Sequence, residues 1–226
     1  MEPVVLSLGG SVLITDDDDV AYIKELASVL VQVSSKRKLL IVTGGGRIAR
    51  HYIRSARALG APESLLDEMG IAVTRLNARL LSVALGERSA NVPPNDYDEA
   101  LAASQSHDIV VMGGVSPGIT TDAVSAMLAE RAHAPLLVNA TSVDGAYTAD
   151  PKIDPTAKRI PKMSYDELVS LVSGTPSGAG PNIVFDPVGS DVVRRAGIIL
   201  AIVDGRDIAN LRSALLSEEF RGTVVK

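Results

Sequence analysis

The sequence predicts an α/β protein, a three-layer αβα sandwich around a mostly parallel central sheet. Short β-branched runs alternate with longer segments that have the 3.6-residue periodicity of helices. Nearly every side chain in the short runs is apolar, as expected for strands that helices cover on both faces. Neither a fixed-period repeat nor a Pro/Gly linker divides the chain, and 46% of its 226 residues are hydrophobic. We therefore expect a single domain over residues 1–226 with a full core.

The expected strands and helices alternate along the chain. The five strands are Pro3–Leu8, Leu39–Thr43, Ile109–Met112, Leu136–Asn139 and Ile198–Val203. The eight helices cover residues 19–34, 47–59, 70–85, 97–105, 121–133, 165–173, 188–196 and 207–216. Residues 144–180 are richer in Pro, Gly, Lys and Asp and poorer in strand signals, so we expect them to begin a partly independent lobe.

Composition and charge disfavour several classes of function. The 22 Lys and Arg are outnumbered by 27 Asp and Glu, for a formal net charge of −5, so no global basic surface favours DNA or RNA. With no cysteine and three histidines that lack metal-ligand spacing, zinc and thiol chemistry are not expected. No apolar stretch approaches the roughly 20 residues of a membrane span, and the start lacks signal-peptide features. We expect a cytoplasmic protein that does not bind membranes.

Three glycine clusters each follow a predicted strand. They lie at residues 9–10, at 44–46, and at 113–118, where the last cluster leads into a helix start at 120–122. Glycine lets backbone N–H groups approach an anion, and a helix N-terminus adds about half a positive charge. Because the carboxyl ends of parallel strands meet at one edge of a sheet, these loops should converge. The sequence therefore predicts a polyphosphate site at that edge.

Two other glycine-rich phosphate sites fit less well. Gly44-x-Gly46-x-x-Ala49 spells the dinucleotide fingerprint of a nicotinamide oxidoreductase. The acid that should end a second strand about 20 residues later is replaced by acids at 63–68, which follow a helix and a Pro-containing turn. The Walker spacing that ends in Gly-Lys-Ser/Thr is absent, which disfavours P-loop enzymes.

Five segments carry a resemblance to a known family. They are 7–13 (SLGGSVL), 44–50 (GGGRIAR), 67–78 (DEMGIAVTRLNA), 112–123 (MGGVSPGITTDA) and 139–152 (NATSVDGAYTADPK). In this order and over nearly the whole chain, they resemble the amino acid kinase family, and within it the uridylate kinases of archaeal type. The resemblance implies the amino acid kinase fold with a nucleotide-binding lobe around residues 144–226. It also implies a homohexamer that converts ATP and UMP to ADP and UDP with Mg²⁺.

The resemblance also assigns residues to each nucleotide. Those implied to face the ATP phosphates are Gly9, Gly10, Ser11, Gly46 and Arg50. Those implied to hold adenosine are Thr141, Tyr147 and Asp150. Those implied to hold UMP are Gly45, Asp67, Val115, Ser116, Pro117, Gly118, Ile119, Thr120 and Thr121.

The chemistry of several residues agrees with that division. Asp67 can accept hydrogen bonds from ribose hydroxyls, and the pair Thr120-Thr121 offers hydroxyls and helix-start N–H groups to a monophosphate. Tyr147 offers a flat apolar face to a base, although a tyrosine here is also typical of a core or turn. Asp144 is a candidate to orient Mg²⁺-bound water, or else a plain turn residue. Arg75 either contacts the UMP phosphate or lies on a solvated or subunit-contact face.

Two positions depart from the wider family, where lysines are common. Ser7 stands two residues before the first glycine pair, and archaeal uridylate kinases commonly lack the lysine there. Asp191 replaces the lysine that usually follows a segment like Phe185-Asp186-Pro187, and an acid would repel phosphates. Our hypothesis is that Arg194 or Arg195, one helical turn on, supplies the missing positive charge.

Other functions remain open on the same fold. A kinase for another small phosphate or carboxylate acceptor is one, and a non-catalytic protein similar to the molybdate storage proteins is the other, favoured only by Asp191. The glycine-rich stretch 174–181 is a candidate mobile lid or an ordinary surface loop.

Overall fold

The computed structural model describes residues 1–15, 19–149, 153–173 and 184–226. Its strands are β1 (Pro3–Leu8), β2 (Lys38–Thr43), β3 (Ile109–Met112), β4 (Leu136–Thr141), β5 (Ala146–Tyr147), β6 (Arg159–Ile160), β7 (Lys162–Met163), β8 (Ile199–Asp204) and β9 (Thr223–Val225). Its α-helices are α1 (Gly10–Leu13), α2 (Asp19–Ser34), α3 (Gly46–Ala58), α4 (Glu63–Leu85), α5 (Tyr97–Ala103), α6 (Thr121–Arg131), α7 (Tyr165–Ser173), α8 (Pro187–Ala196) and α9 (Ile208–Leu215).

Seven of these strands form one sheet in the order β3-β2-β1-β4-β8-β9-β7. The five strands from β3 to β8 are parallel, whereas β9 runs antiparallel to β8 and parallel to β7. In the middle of the sheet, Leu6 of β1 pairs with Ile41 of β2 and with Val138 of β4. The predicted mostly parallel sheet is confirmed.

Side chains of each central strand alternate between two separate cores. Leu6 and Leu8 point into a core closed by α2, α4 and α9, whereas Val5 points into a core closed by α6, α7 and α8. These three side chains are fully buried. Burial on both faces explains why the strands read as continuous apolar runs, and it confirms the three-layer arrangement.

The structure also corrects parts of the prediction. Helix α4 begins at Glu63 rather than at residue 70. Gly70 lies inside the helix, where it faces Ile53. Pro62 is tolerated as the residue before the first turn. The short elements α1, β5, β6, β7 and β9 were not predicted, since two to four residues carry too little periodicity to be recognised.

The order of strands creates a switch point between β1 and β4. From β1 the chain moves outward to β2 and β3, then returns to the other side of β1 as β4 and continues to β8. The loops after β1 and β4 therefore diverge, yet Gly9 N still donates to Ala140 O at 2.9 Å. In open parallel sheets this crevice is where ligands bind.

Candidate functional site

The loops after β1 and β2 touch through their backbones. A Cβ added to Gly10 would lie 2.3 Å from Gly46 N and 2.4 Å from Gly44 O. Gly46 also has a positive φ of 59°, and a Cβ there would lie 2.4 Å from the Gly10 carbonyl carbon. No side chain fits between the two loops, so the backbone itself forms the surface at this point and a ligand can approach it closely.

Three clefts lie in a row along this carboxyl edge of the sheet. The α3–α4 cleft, of about 400 Å³, lies between those helices and the β3–α6 loop. The glycine cleft, of about 270 Å³, lies above β1 and β4, and the Tyr147 cleft, of about 310 Å³, lies beyond β4 and β8. The glycine cleft shares Gly45, Gly46, Arg50 and Thr121 with the first and Ser142 with the last. The three clefts are therefore neighbours along this edge of the sheet.

The α3–α4 cleft gathers most of the residues expected to hold the acceptor. Those that line it are Gly45, Asp67, Ser116, Gly118, Ile119, Thr120 and Thr121. Asp67 on α4 accepts a hydrogen bond from Gly118 N at 2.8 Å, and this bond holds the β3–α6 loop over the cleft. Thr120 caps α6 by accepting from Ala123 N at 3.2 Å. The N-terminus of α6 therefore borders the α3–α4 cleft, and helix N-termini favour anions.

Three residues of the same expected set do not line this cleft. Val115 packs against the core that contains α6, and Pro117 lies in the loop between two lining residues. The Arg75 guanidinium donates to the carbonyls of Gly114 and Asn95, each at 3.2 Å. Arg75 therefore braces the loop after β3 from outside the cleft, and the structure does not support a direct phosphate contact.

Arg50 is the cation common to two clefts. It lies on the first turns of α3 and lines both the α3–α4 cleft and the glycine cleft. Its Nη2 donates to Ser11 Oγ at 3.0 Å, which ties α3 to the loop after β1. Gly9, Gly10 and Gly46 line the glycine cleft beside it, as expected.

Asp122, for which sequence reasoning gave no role, also lines the glycine cleft. Its Oδ1 accepts a hydrogen bond from Ser7 Oγ at 2.8 Å. Burial raises the pKa of Asp122 to about 6, and the nearby Asp186 charge adds to this, while the Ser7 hydrogen bond opposes it. The signal in the sequence was an acid directly after Thr120-Thr121 at a helix start beside a glycine cluster.

The Tyr147 cleft is lined by ion pairs rather than by glycines. Asp144 Oδ1 accepts from the Tyr147 hydroxyl at 2.6 Å, and Oδ2 accepts from Arg221 Nε at 3.0 Å. Across the cleft, Arg206 pairs with Asp204 at 2.6 Å. Arg206 and Arg221 were missed by sequence reasoning because neither belongs to a motif.

The electrostatics of Asp144 follow from these contacts. Partial burial works to raise the pKa of Asp144, but the hydrogen bonds from Tyr147 and Arg221 outweigh it and keep the pKa below its ordinary value. The hydrogen bond to Asp144 in turn raises the pKa of Tyr147. Both carboxylate oxygens are engaged and Asp144 does not line the glycine cleft, so its expected role in orienting Mg²⁺-bound water is not supported.

Of the three residues expected to hold adenosine, Tyr147 is the one that the described structure places at the Tyr147 cleft. Thr141, at the end of β4, lines the glycine cleft rather than the Tyr147 cleft. Asp150 lies outside the described residues, as does the expected lid at 174–181.

Arg194 and Arg195 do not reach any of the three clefts. Both lie in the last turn of α8, whose first turn is the end near Asp122. Arg194 is paired with Asp166 and Asp191, and Arg195 with Glu130. These contacts give no support to the hypothesis that either arginine replaces the missing lysine. Asp191 itself is exposed and does not line the clefts.

The geometry first defines a class. A mostly parallel sheet whose switch point carries glycine loops and helix N-termini is typical of α/β proteins that bind phosphorylated ligands. Residues 2–204 match the model of the Amino acid kinase family, so the chain belongs to that family. In the part of the chain that the structure describes, no helix is both long and apolar enough to cross a membrane.

Relatives and solved structures narrow the class further. The chain is 49% identical to a uridylate kinase of Methanospirillum hungatei, covering 100% of this chain and 95% of the relative. It is 47% identical to a uridylate kinase of Methanoculleus marisnigri, covering 100% and 96%. The crystal structure of uridylate kinase from Archaeoglobus fulgidus matches with a TM-score of 0.90 at 42% identity, covering 100% of both chains.

Proposed function

We propose that this protein is a UMP kinase that transfers the γ-phosphate of ATP to UMP, giving ADP and UDP for pyrimidine nucleotide synthesis. The observation that carries the proposal is the row of three clefts, with the glycine cleft between two larger ones. A reaction between two nucleotides needs two nucleoside sites joined by one phosphate site. The full-length similarity to uridylate kinases supports the same assignment.

Each cleft takes one part of the reacting pair. UMP occupies the α3–α4 cleft, where the Asp67 carboxylate is an acceptor for ribose hydroxyls and Thr121 is near the phosphate. The ATP phosphates lie in the glycine cleft against Gly10 and Gly46. The nucleoside of ATP lies in the Tyr147 cleft, with the tyrosine ring as an apolar wall.

Catalysis on this geometry depends on the alignment of the two nucleotides and on positive charge near their phosphates. A UMP phosphate oxygen attacks the γ-phosphorus, the bond from that phosphorus to the β,γ-bridging oxygen breaks, and ADP leaves. Arg50 lies at the junction of the two clefts, where it stabilises charge on both nucleotides. The N-termini of α3 and α6 add partial positive charge at the same junction.

The residues at the junction fit Mg²⁺ carried by the nucleotide. No cluster of three or more His, Asp or Glu among the described residues could hold a metal by itself. Mg²⁺ is usually held by one or two carboxylates together with substrate phosphates, and the glycine cleft offers the Asp122 carboxyl and the Ser11 and Thr121 hydroxyls. When bound, the ion neutralises developing phosphate charge.

A homo-oligomer is part of the proposal. Helix α4 carries an exposed apolar stripe of Leu76, Leu80 and Val83, spaced i, i+4 and i+7 on one face. Such a stripe on a 23-residue helix supports self-association. We expect a hexamer in the cytoplasm, and light scattering on purified protein measures the assembly.

Turnover on a panel of acceptors tests the proposal. ADP release with Mg²⁺-ATP is measured against UMP, CMP, dUMP, AMP and GMP, with ligand-induced thermal shifts recorded in parallel. We expect preferential turnover of UMP. Besides Asp191, the absence of lysine from the described residues that line the three clefts favours a non-catalytic protein. Binding of ATP and UMP without ADP release would establish that alternative and refute the kinase.

Asp67→Ala tests the assignment of UMP to the α3–α4 cleft. The change removes an ionised acceptor and the bond to Gly118 N, and a hydrogen bond to a charged group contributes about 1.5–3 kcal/mol. We expect KM for UMP to rise by roughly 10- to 100-fold while KM for ATP stays constant. Glu68→Ala, an exposed neighbour outside the cleft, is the matched control. An equal rise in both KM values would contradict the assignment.

A further inference from the structure

The C-terminal end of the chain builds one wall of the Tyr147 cleft. Arg221 lines the cleft, and Thr223, two residues on, contacts the turn that carries Asp144 and Tyr147. Thr223 Oγ1 accepts from Ala146 N at 2.8 Å and donates to Ile160 O at 2.6 Å. A Cβ added to Gly145 would lie 2.7 Å from Thr223 Oγ1. The turn is therefore seated directly on the start of β9.

The backbone of Arg221 is fixed on its other side. Arg221 N donates to Asn210 Oδ1 at 2.7 Å, and Asn210 Nδ2 donates back to Arg221 O at 2.8 Å. This reciprocal pair holds the arginine against α9. Its side chain reaches Asp144, which also lines the cleft and stands 77 residues earlier in the chain.

The contacts divide the Asp144 carboxylate between two partners. Arg221 Nε and Nη2 both contact Oδ2, at 3.0 and 2.8 Å, and the Tyr147 hydroxyl donates to Oδ1 at 2.6 Å. With Oδ2 held by the guanidinium, Oδ1 is fixed in direction. The hydroxyl of Tyr147, and hence its ring, is oriented by a carboxylate that Arg221 orients.

We propose that Arg221 is a positioning residue for the donor nucleotide, which acts through Asp144 to hold the Tyr147 ring against the nucleoside. The inference rests on the proposed function, in which that cleft binds the nucleoside of ATP. Side-chain exposure argues against a mainly structural role, because 72% of the Arg221 side chain is exposed. Exposed ion pairs contribute little to the stability of a fold.

Four variants test the proposal in the full-length protein: Arg221→Ala, Arg221→Lys, Tyr147→Phe and the double variant R221A/Y147F. Arg212→Ala is the matched control, since Arg212 on α9 is ion-paired with Glu218 and does not line the cleft. Steady-state turnover gives kcat and both KM values. Isothermal calorimetry gives the dissociation constant of ATP without turnover.

We expect R221A to raise KM and the dissociation constant for ATP by about 3- to 10-fold, with kcat and KM for UMP within twofold of wild type. Arg221→Lys should restore part of the loss, and R212A should match wild type. Because Arg221 acts through the Tyr147 hydroxyl, R221A should add little in the Tyr147→Phe background.

Three results would overturn the proposal. Unchanged ATP affinity in R221A removes the role altogether. A full loss of affinity from R221A in the Tyr147→Phe background means that Arg221 contacts the nucleotide itself. An equal fall in kcat and in affinity for both nucleotides means a general structural role. If the wild type binds ATP but makes no UDP, the kinase proposal fails while the calorimetric comparison still decides the role of Arg221; if it binds no ATP, both fail.

Discussion

The glycine cleft and the Tyr147 cleft lie side by side at one edge of the sheet but are built in opposite ways. One wall of the glycine cleft is made by backbone, with Gly10 and Gly46 in direct contact and no room for a Cβ. The Tyr147 cleft is made by long side chains in the ion pairs Asp144–Arg221 and Asp204–Arg206. In the proposed function the glycine cleft binds phosphates, which are the same in every nucleotide, and the Tyr147 cleft binds a base, which differs between nucleotides.

The glycine cleft and the Tyr147 cleft should differ in how well they tolerate substitutions. Backbone contact has no adjustable part, so a side chain added at Gly10 or Gly46 must displace a loop. Exposed ion pairs can be exchanged or weakened with small effects on the fold. We expect substitution effects to be abrupt in the glycine cleft and graded in the Tyr147 cleft.

Gly46→Ala is the sharpest test of this contrast and should have the largest effect. The new Cβ would lie 2.4 Å from the Gly10 carbonyl carbon, and the residue has a positive φ of 59°. We expect kcat/KM to fall by at least 100-fold, since displacement of the loop moves the reacting phosphates out of line. Turnover assays measure this, and circular dichroism checks that the variant is folded.

Gly60→Ala is the matched control for backbone strain. Gly60 also has a positive φ, 85°, but nothing lies within 4 Å of an added Cβ. Left-handed backbone at a residue with a side chain costs about 1 kcal/mol, so stability should fall slightly while turnover is unchanged. If Gly60→Ala and Gly46→Ala lose the same activity, strain and not contact between the loops explains the effect.

Asp122→Asn should change the free energy of unfolding, by an intermediate amount that depends on pH. In wild type, burial raises the pKa of Asp122 to about 6, above its ordinary value of 3.8. The folded state therefore holds this proton more tightly than the unfolded chain does. Its contribution to stability is fully present below about pH 4 and is lost as pH rises through about 6.

The expected difference in stability between Asp122→Asn and wild type follows from the direction of the Asp122 pKa shift. The asparagine side chain carries no charge, so Asp122→Asn should be more stable than wild type at pH 7.5, by up to roughly 3 kcal/mol for a pKa raised by about two units. The gain should shrink at pH 5. Urea unfolding at both values measures it, with Glu68→Gln as the control for loss of one exposed charge. A constant difference at the two pH values would show that Asp122 is ionised throughout.

The sequence predicted the backbone-built part of the site far better than the part built by ion pairs. The runs in β1 and β2 are apolar because they are buried on both faces, and the glycines at 9–10 and 44–46 follow them directly. Arg221 had no such signal, because it is exposed, stands outside every motif and meets Asp144 across 77 residues. The pairing of β9 with β8 and the contacts of Thr223 with Ala146 and of Arg221 with Asn210 bring those two residues together.

The expected catalytic role of Arg194 and Arg195 finds no support in their contacts, for a related reason. A spacing of one helical turn from Asp191 says which residues share a helix face, but it does not say which end of the helix faces the site. In the structure both arginines stand at the C-terminal end of α8, where cations are favoured by the helix dipole. Their carboxylate partners are on α6, α7 and α8 itself.

Arg195→Ala should accordingly have the smallest effect of the substitutions considered. Its Nε and Nη2 contact Glu130 at 2.9 and 2.6 Å, and that hydrogen bonding, followed by the Glu130 charge, raises the pKa of Arg195. Arg195 lies in the last turn of α8, whereas the first turn is the end near Asp122, so the arginine should not stabilise charge on the phosphates. We expect kcat and both KM values within twofold of wild type in steady-state assays, and the same for Arg194→Ala. A tenfold fall in kcat from either change would mean that α8 delivers positive charge to the phosphates after all, and that the glycine cleft does not rely on Arg50 and backbone N–H groups alone.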